Sequence, residues 1–394
     1  MTMKIRSTLW KILHILSTLA VFDKAYASTC HQDQHWQDHP VLCRMLEWAE
    51  HDLEGFARHA HAWAEEQSHL VQVRNSRSAS LDISTTKRRI QGGKVGSENK
   101  QLPVVFAHGM GDSCFNSGMQ HVAQLASEWL SEDFGPDRSN VYSVCVPTGA
   151  TQAEDTKNGY FLSMDASVEV FAEGVRADPR LSDGFHAIGF SQGNNVIRGY
   201  IAKHNTPTVD TFISINGVNA GIGAVPYCRP SETAMGAVRL GGMCDLLMEQ
   251  ASRSAYTEFA QEHSFQANYW RDPRPTAFPL YQKYGQLAAW NNEAGLVNET
   301  LKTNWGKTSA FVWVLATEDG LVWPKEGEQW GQPDSKDPFH VILSINETTW
   351  YKEDLFGLRT ANELGKNYFE SFEGDHLQFE SADLERWVKT YLKN

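Results

Sequence analysis

Residues 189–193 read Gly189-Phe190-Ser191-Gln192-Gly193. They follow the apolar run Phe185-His186-Ala187-Ile188 and precede a helix-like stretch from Asn194 to Lys203. A strand, then Gly-x-Ser-x-Gly, then a helix is the setting of a nucleophile elbow. The turn forces the serine into a strained backbone conformation, and side chains at either glycine would collide with the neighbouring strand and helix. An ordinary turn serine is the competing reading, and the flanking elements argue against it. Such a serine needs an acid and then a histidine, in that chain order, each just beyond a strand. The apolar run Ser309 to Ala316 leads into Thr317-Glu318-Asp319-Gly320, and the alternating run Asn367 to Phe372 leads into Glu373-Gly374-Asp375-His376. We expect Asp319 as orienting acid and His376 as general base. Glu318 is the rival acid, and Asp375 reads as a loop carboxylate.

The buried-strand pattern Leu102 to Ala107 is followed by His108-Gly109-Met110-Gly111-Asp112. That position and the residue after the nucleophile supply oxyanion-hole amides in such sites. The expected donors are therefore the N–H groups of Met110 and Gln192. Strands at 102–107, 140–146, 185–190 and 209–215 alternate with helices near 116–131, 166–177 and 193–204, which predicts a mostly parallel sheet. Residues 220–308 interrupt this alternation with aromatic helical segments, Met248 to Glu262 and a second around Tyr281-Gln282-Lys283-Tyr284. Strands 309–316 and 367–372 and a helix from Ala382 to Leu392 complete an α/β-hydrolase fold. The helical insertion precedes the acid-bearing strand and is placed to form an acyl pocket.

His108 to Cys114, the elbow, and Gly374-Asp375-His376-Leu377-Gln378 together resemble the palmitoyl-protein thioesterase family. So do Tyr269-Trp270-Arg271-Asp272-Pro273 and Asp354-Leu355-Phe356-Gly357-Leu358. The resemblance runs from Leu102 to about Tyr391. It implies lysosomal hydrolysis of the thioesters that join long fatty acids to protein cysteines, with the family's serine, aspartate and histidine at Ser191, Asp319 and His376. Three places depart from the family. Asn194 stands where a second glycine is common, Val218-Asn219 where Gln-His is usual, and Trp323 beside Pro324 adds an aromatic that would line the acyl groove. An oxygen-ester lipase or carboxylesterase would use the same triad, and a catalytically silent lipid-binding protein would share the pocket.

Met1 to Ala27 reads as a signal peptide: Lys4, Arg6 and Lys11 precede an apolar stretch, and Ala25-Tyr26-Ala27 is a small-x-small cleavage site. The apolar run is well short of a spanning helix, so no membrane anchor is expected after cleavage. The chain has 394 residues, 41% of them hydrophobic, and a net charge of −13; losing the leader removes four basic residues and one acidic and leaves −16. So acidic a chain is a poor nucleic-acid binder and suits an acidic compartment. The expected location is the secretory pathway, ending in lysosome, vacuole or secretion. Six cysteines behind a leader imply disulfides. Local spacing suggests Cys30–Cys43 and Cys228–Cys244, which leaves Cys114 with Cys145; Cys228–Cys244 also resembles a pair of the family. Asn298-Glu299-Thr300 and Asn346-Glu347-Thr348 are glycosylation acceptors, the first coinciding with a family site.

Between the leader and the first core strand lies an extension, residues 28–100. Val41 to Val71 has helical apolar spacing, and Arg74 to Lys100 reads as a linker. The extension's histidines (His31, His35, His39, His51, His59, His61 and His69) come without a matching carboxylate or cysteine set and read as a solvated face, not a metal site. The extension carries no triad or oxyanion group and is expected to be dispensable for chemistry. No metal or organic cofactor is required by the chemistry; the expected partners are S-palmitoylated proteins and long-chain acyl thioesters.

Overall fold

Runs rich in Val, Ile, Phe and Trp fold as strands because branched and aromatic side chains fit a pleated surface packed on both sides. A computed structural model describes residues 45, 48–68, 101–132, 140–226 and 251–393. Its strands are β1 (Val104–Ala107), β2 (Ser143–Cys145), β3 (Phe185–Phe190), β4 (Val209–Ile215), β5 (Ala310–Ala316), β6 (Gln332–Pro333), β7 (Ile342–Leu343) and β8 (Asn367–Phe372). Six of them form one sheet in the order β2-β1-β3-β4-β5-β8, and every pairing is parallel. β6 and β7 make a small antiparallel ladder apart from it.

The pleat sends alternate residues to opposite faces. On β1, Val105 and Ala107 join one apolar cluster while Val104 and Phe106 join the other; on β5, Phe311 and Trp313 face one side while Val312 and Val314 face the other. Both faces must therefore be covered, and helices cover them. In chain order these are α1 (Leu53–Ser68), α2 (Ser117–Ser131), α3 (Gln152–Phe161), α4 (Met164–Ala177), α5 (Gly193–Lys203), α6 (Glu258–His263), α7 (Phe265–Asn268), α8 (Phe278–Tyr284), α9 (Gln286–Trp290), α10 (Glu299–Lys307), α11 (Thr349–Lys352), α12 (Leu358–Glu363) and α13 (Ser381–Tyr391). α4 and α5 cover one face with Val168, Phe171, Ile197 and Ile201; α2 and α13 cover the other with Val122, Ala126, Trp387 and Val388.

Several details differ from the sequence reading. The helix expected over Met248 to Glu262 is broken where it is described. Residues 251–255 are helical, the chain then turns, and Thr257 starts α6 by accepting a hydrogen bond from the Ala260 amide. A capping hydroxyl favours a new N-terminus over continuation. The helix of the extension is interrupted at Asp52, whose carboxylate accepts the Gly55 amide at 2.9 Å. α3 was not anticipated: its sequence is mostly polar, and Thr151 caps it. The leader, the Cys30–Cys43 and Cys228–Cys244 pairs, the linker, and His31, His35, His39 and His69 lie outside the described residues.

Beside β5, aromatic rings pack into a dense cluster. Trp305 stacks on Phe311 with centroids 4.4 Å apart, and Trp313 and Trp330 meet edge to face at 5.3 Å. Trp330 ends a short 3₁₀ turn, Lys325–Gln329, that crosses the carboxyl ends of the strands. Gln329 on that turn donates to the carbonyls of Trp313 and Glu370, tying β5 to β8. Trp305 is buried at the centre of this cluster. Trp305→Ala should therefore cost about 3–5 kcal/mol of stability, read as a fall in the urea midpoint with an unchanged slope; a loss under 1 kcal/mol would remove the cluster from the core.

Candidate active site

β3 delivers Phe190 to the sheet's carboxyl edge, and the next residue, Ser191, has φ +52°. A non-glycine residue holds that left-handed conformation only when its surroundings determine it. Here they do. The Ser191 amide donates to Ile215 O at 3.0 Å. Asn194 Nδ2 donates to both Ser191 O and Ile215 O at 2.9 Å. A Cβ on Gly193 would lie 2.4 Å from the His108 carbonyl oxygen, so only glycine allows α5 to start against β1. Asn194, one of the departures from the family, thus braces the turn from within α5.

The loops after β5 and β8 meet the elbow. His376 Nε2 lies 2.9 Å from Ser191 Oγ, and His376 Nδ1 lies 2.6 Å from Asp319 Oδ2. All three residues are buried. An Nδ1–H donated to the carboxylate leaves Nε2 free to accept the serine hydroxyl. Asp319 Oδ1 accepts the amides of Leu321 at 2.8 Å and Val322 at 2.7 Å. Burial pushes the Asp319 pKa up, but His376 beside it and these hydrogen bonds bring it down to about 2. Glu318, the rival acid, is exposed. Asp375 Oδ1 accepts the amides of Gly320 and His376, which clips the acid loop to the histidine loop.

Two buried residues behind the acid were not singled out from the sequence. Glu328, on the 3₁₀ turn, presents Oε2 to Asn216 Nδ2 at 2.8 Å and to the Ala316 amide at 2.9 Å. A carboxylate oxygen of Glu328 lies within 4.8 Å of the ligating atoms of both Asp319 and His376. Its Oε1 meets no N–H or O–H among the described residues. Burial and the neighbouring Asp319 charge raise the Glu328 pKa well above the usual carboxyl range, which favours its neutral form beside Asp319. Asn216 then accepts the Leu377 amide at 2.9 Å, next to His376. In the sequence, Glu328 sits in the polar run Lys325-Glu326-Gly327-Glu328-Gln329, where every residue reads as surface.

On the opposite side lies the loop after β1. His108 Nε2 is 3.2 Å from Asp155 Oδ1, both buried. Asp155 also accepts Ser113 Oγ, the Cys114 amide and the Thr148 amide. A disulfide joins Cys114 to Cys145, beyond the end of β1 and at the end of β2. Desolvation opposes charge on His108, yet Asp155 overcomes it and raises the pKa to about 9. The same pair holds Asp155, despite its burial, well below the ordinary carboxylate range. This network fixes the loop carrying Met110. Among the described residues, neither the Met110 nor the Gln192 amide is engaged with a backbone carbonyl. The Gln192 side chain donates to Gly159 O at 2.6 Å and accepts from Gln266, tying the elbow to α3 and the insertion.

Ser191 and Met110 open onto an apolar cavity of about 410 Å³. Ile222, Ala255, Tyr269 and Trp270 of the 220–308 segment line it, as does Val218. Asn219 does not; it turns to Ser214 Oγ at 2.8 Å. Trp323, expected to line the groove, is not at the cavity either. It packs on Gly223 and, at 6.5 Å, on Phe339. Arg271 pairs with Glu293 at 2.7 Å behind the cavity and holds the insertion to itself. Asn298 and Asn346 are both exposed, Asn298 at the start of α10. Among the described residues, the extension's histidines join no group of metal-ligating side chains. No helix of the described residues is long and apolar enough to cross a membrane.

A family model described as palmitoyl protein thioesterase matches residues 103–376. Palmitoyl-protein thioesterase 1 of Caenorhabditis elegans is 31% identical over 286 residues, 72% of this chain and 89% of the relative. Palmitoyl-protein thioesterase 3 of Dictyostelium discoideum is 29% identical over 294 residues, 74% of this chain and 90% of the relative. A human protein named lysosomal thioesterase PPT2 is 27% identical over 183 residues, 45% of this chain and 54% of the relative.

Glu328→Ala leaves the Asn216 and Ala316 donors unpaired in a dry site and should cost about 3 kcal/mol, whereas Glu328→Gln keeps an acceptor for them and a donor towards Asp319. Chemical denaturation should therefore rank wild type and Gln close together, with Ala far below. The His108–Asp155 pair sets a pH window. A histidine raised from 6.5 to about 9 contributes fully below pH 6.5 and loses its contribution as pH rises through 9; a depressed carboxylate contributes above its ordinary value of 3.8 and loses it in stronger acid. The stability gap between wild type and Asp155→Asn should narrow by on the order of 3 kcal/mol from about pH 6 to about pH 10. A gap that stays constant with pH would contradict the charged pair.

Proposed function

The chain belongs to the palmitoyl protein thioesterase family, and on that premise we propose that it hydrolyses long-chain acyl thioesters with Ser191 as nucleophile, His376 as general base and Asp319 as orienting acid. The observation that carries this reading is the unbroken line Asp319–His376–Ser191, at 2.6 and 2.9 Å, opening on an apolar cavity. The Ser191 proton passes to His376 Nε2 as Oγ attacks the acyl carbonyl, and the imidazolium is held by Asp319. The oxyanion is received by the amides of Met110 and Gln192, groups that stabilise charge appearing only in the transition state. As the tetrahedral intermediate collapses, the C–S bond breaks and His376 returns the proton to the leaving thiolate. Water then loses a proton to His376 and attacks the acyl-serine, and the fatty acid leaves as Ser191 regains its proton.

The cavity explains why the acyl group would be long. It is lined mostly by carbon, and each buried methylene adds about 0.8 kcal/mol. The natural substrates on this reading are S-palmitoylated proteins or peptides. The working place is an acidic lumen such as the lysosome. That location is supported by the −13 net charge, by an ion pair that is most favourable between its two ordinary pKa values, and by relatives named as lysosomal. Residues 101–394 form the catalytic unit on this reading, and Asn298 and Asn346, exposed in sequons, are its glycosylation sites.

Intact mass after mixing with palmitoyl thioester should show an acyl adduct on wild type and none on Ser191→Ala. His376→Ala and Asp319→Asn should lower turnover by about 10⁴-fold. kcat/KM should rise steeply from acetyl to octanoyl to palmitoyl thioesters, measured below their micelle concentrations. A flat series would leave a serine hydrolase without acyl specificity, and faster cleavage of triglyceride than of palmitoyl-CoA would make it a lipase.

A further inference from the structure

The family model begins at residue 103, yet the cavity wall does not. Met45, in the extension, lines the cavity beside Tyr160 and Phe161 of α3. α1 continues that contact: Phe56 is buried against both rings, with centroids 5.5 Å from each. Ala49 and Ala60 close the same cluster. α1 also reaches the loop that carries Met110. His61 Nδ1 is 2.9 Å from Asn116 Nδ2, and Asn116 in turn donates to Asp112 of that loop. The extension is thus held at two places, by apolar packing on α3 and by polar contact with the loop after β1.

We propose that Met45, together with the helical residues 48–62 that pack behind Tyr160 and Phe161, is part of the acyl-binding wall and sets which fatty chains this protein accepts. The proposal rests on the long-chain thioesterase reading for its substrate, and on the cavity geometry for its place. The physical reason is coverage. Tyr160 and Phe161 face the cavity on one side and α1 on the other, so without α1 their outer surfaces would be in water and the rings would be free to shift into the cavity. Met45 adds an unbranched, adaptable side chain directly to the lining, a residue type suited to surfaces that accept flexible apolar chains. The extension carries none of the reacting groups. Its effect belongs to binding of the acyl chain and so to the dependence of kcat/KM on chain length, not to acylation of a short acyl group as such.

Two measurements test this. In the first, full-length Met45→Trp and Phe56→Ala are compared with wild type on hexanoyl, dodecanoyl and palmitoyl thioesters. The palmitoyl-to-hexanoyl ratio of kcat/KM should fall at least tenfold in each variant. In the second, wild type is irradiated with a fatty acid bearing a diazirine along its chain, and labelled peptides are mapped by mass spectrometry. Labels should appear on Met45 as well as on Tyr160 or Phe161. Chain-length profiles that superimpose on wild type, together with labels confined to residues beyond 101, would overturn the proposal while leaving the thioesterase reading intact. Labelling of Met45 in a protein that cleaves no thioester of any length would do the reverse: the wall stands and the functional reading fails. Variants that do not fold leave the labelling of wild type to decide.

Discussion

The candidate site depends first on the left-handed turn that places Ser191. A φ of +52° on a serine is unfavourable in isolation, and it persists because the ends of β3 and β4, the start of α5 and the loop after β1 all close on it. Gly193 lets the His108 carbonyl approach, and Asn194 ties the serine carbonyl to the neighbouring strand. The same contacts that hold the strain leave Oγ 2.9 Å from His376 Nε2.

The acid side is built differently. Asp319 is buried, and a buried carboxylate survives only if its charge is met. Two backbone amides and His376 meet it, and the Glu328 carboxyl, its pKa raised by burial and by Asp319, lies beside it. Glu328 is itself secured by Asn216 and by the end of β5, and Asn216 reaches on to the residue after His376. The result is a polar seam running under the sheet's carboxyl edge from β4 to β8. Placing Glu328 on a 3₁₀ turn that ends at Trp330 connects this seam to the aromatic cluster beside β5.

Segments remote in sequence share the cavity. The 220–308 insertion forms most of the lining, as a segment inserted before the acid-bearing strand can. The extension, which lies outside the region matched by the family, completes it through Met45 and through the outer faces of Tyr160 and Phe161. An apolar cavity shared between two segments remote in sequence can change its chain preference by substitution in either, without touching the groups that react.

The strands and their order in the chain were readable because both faces of a parallel sheet demand near-continuous apolar runs. β3, β4 and β8 have the bounds expected from residues 185–190, 209–215 and 367–372. The candidate triad was readable because local chain features, two glycines around Ser191 and strand ends before Asp319 and His376, mark where loops emerge at one edge. The helix expected over Met248 to Glu262 broke at Thr257, where one hydroxyl outweighed apolar periodicity. Polar α3 escaped notice because it buries polar and small residues such as Asp155, Thr156 and Gly159, which apolar periodicity does not register. Trp323 had the right chemistry and the wrong neighbours, and Glu328 looked like surface. By itself, then, the sequence determined the sheet, the elbow and the candidate triad, because those depend on short-range pattern. Only the tertiary structure decided which carboxyl is buried behind Asp319, which aromatics face the cavity, and that Met45 joins them, because burial and charge are set by neighbours that are distant in the chain.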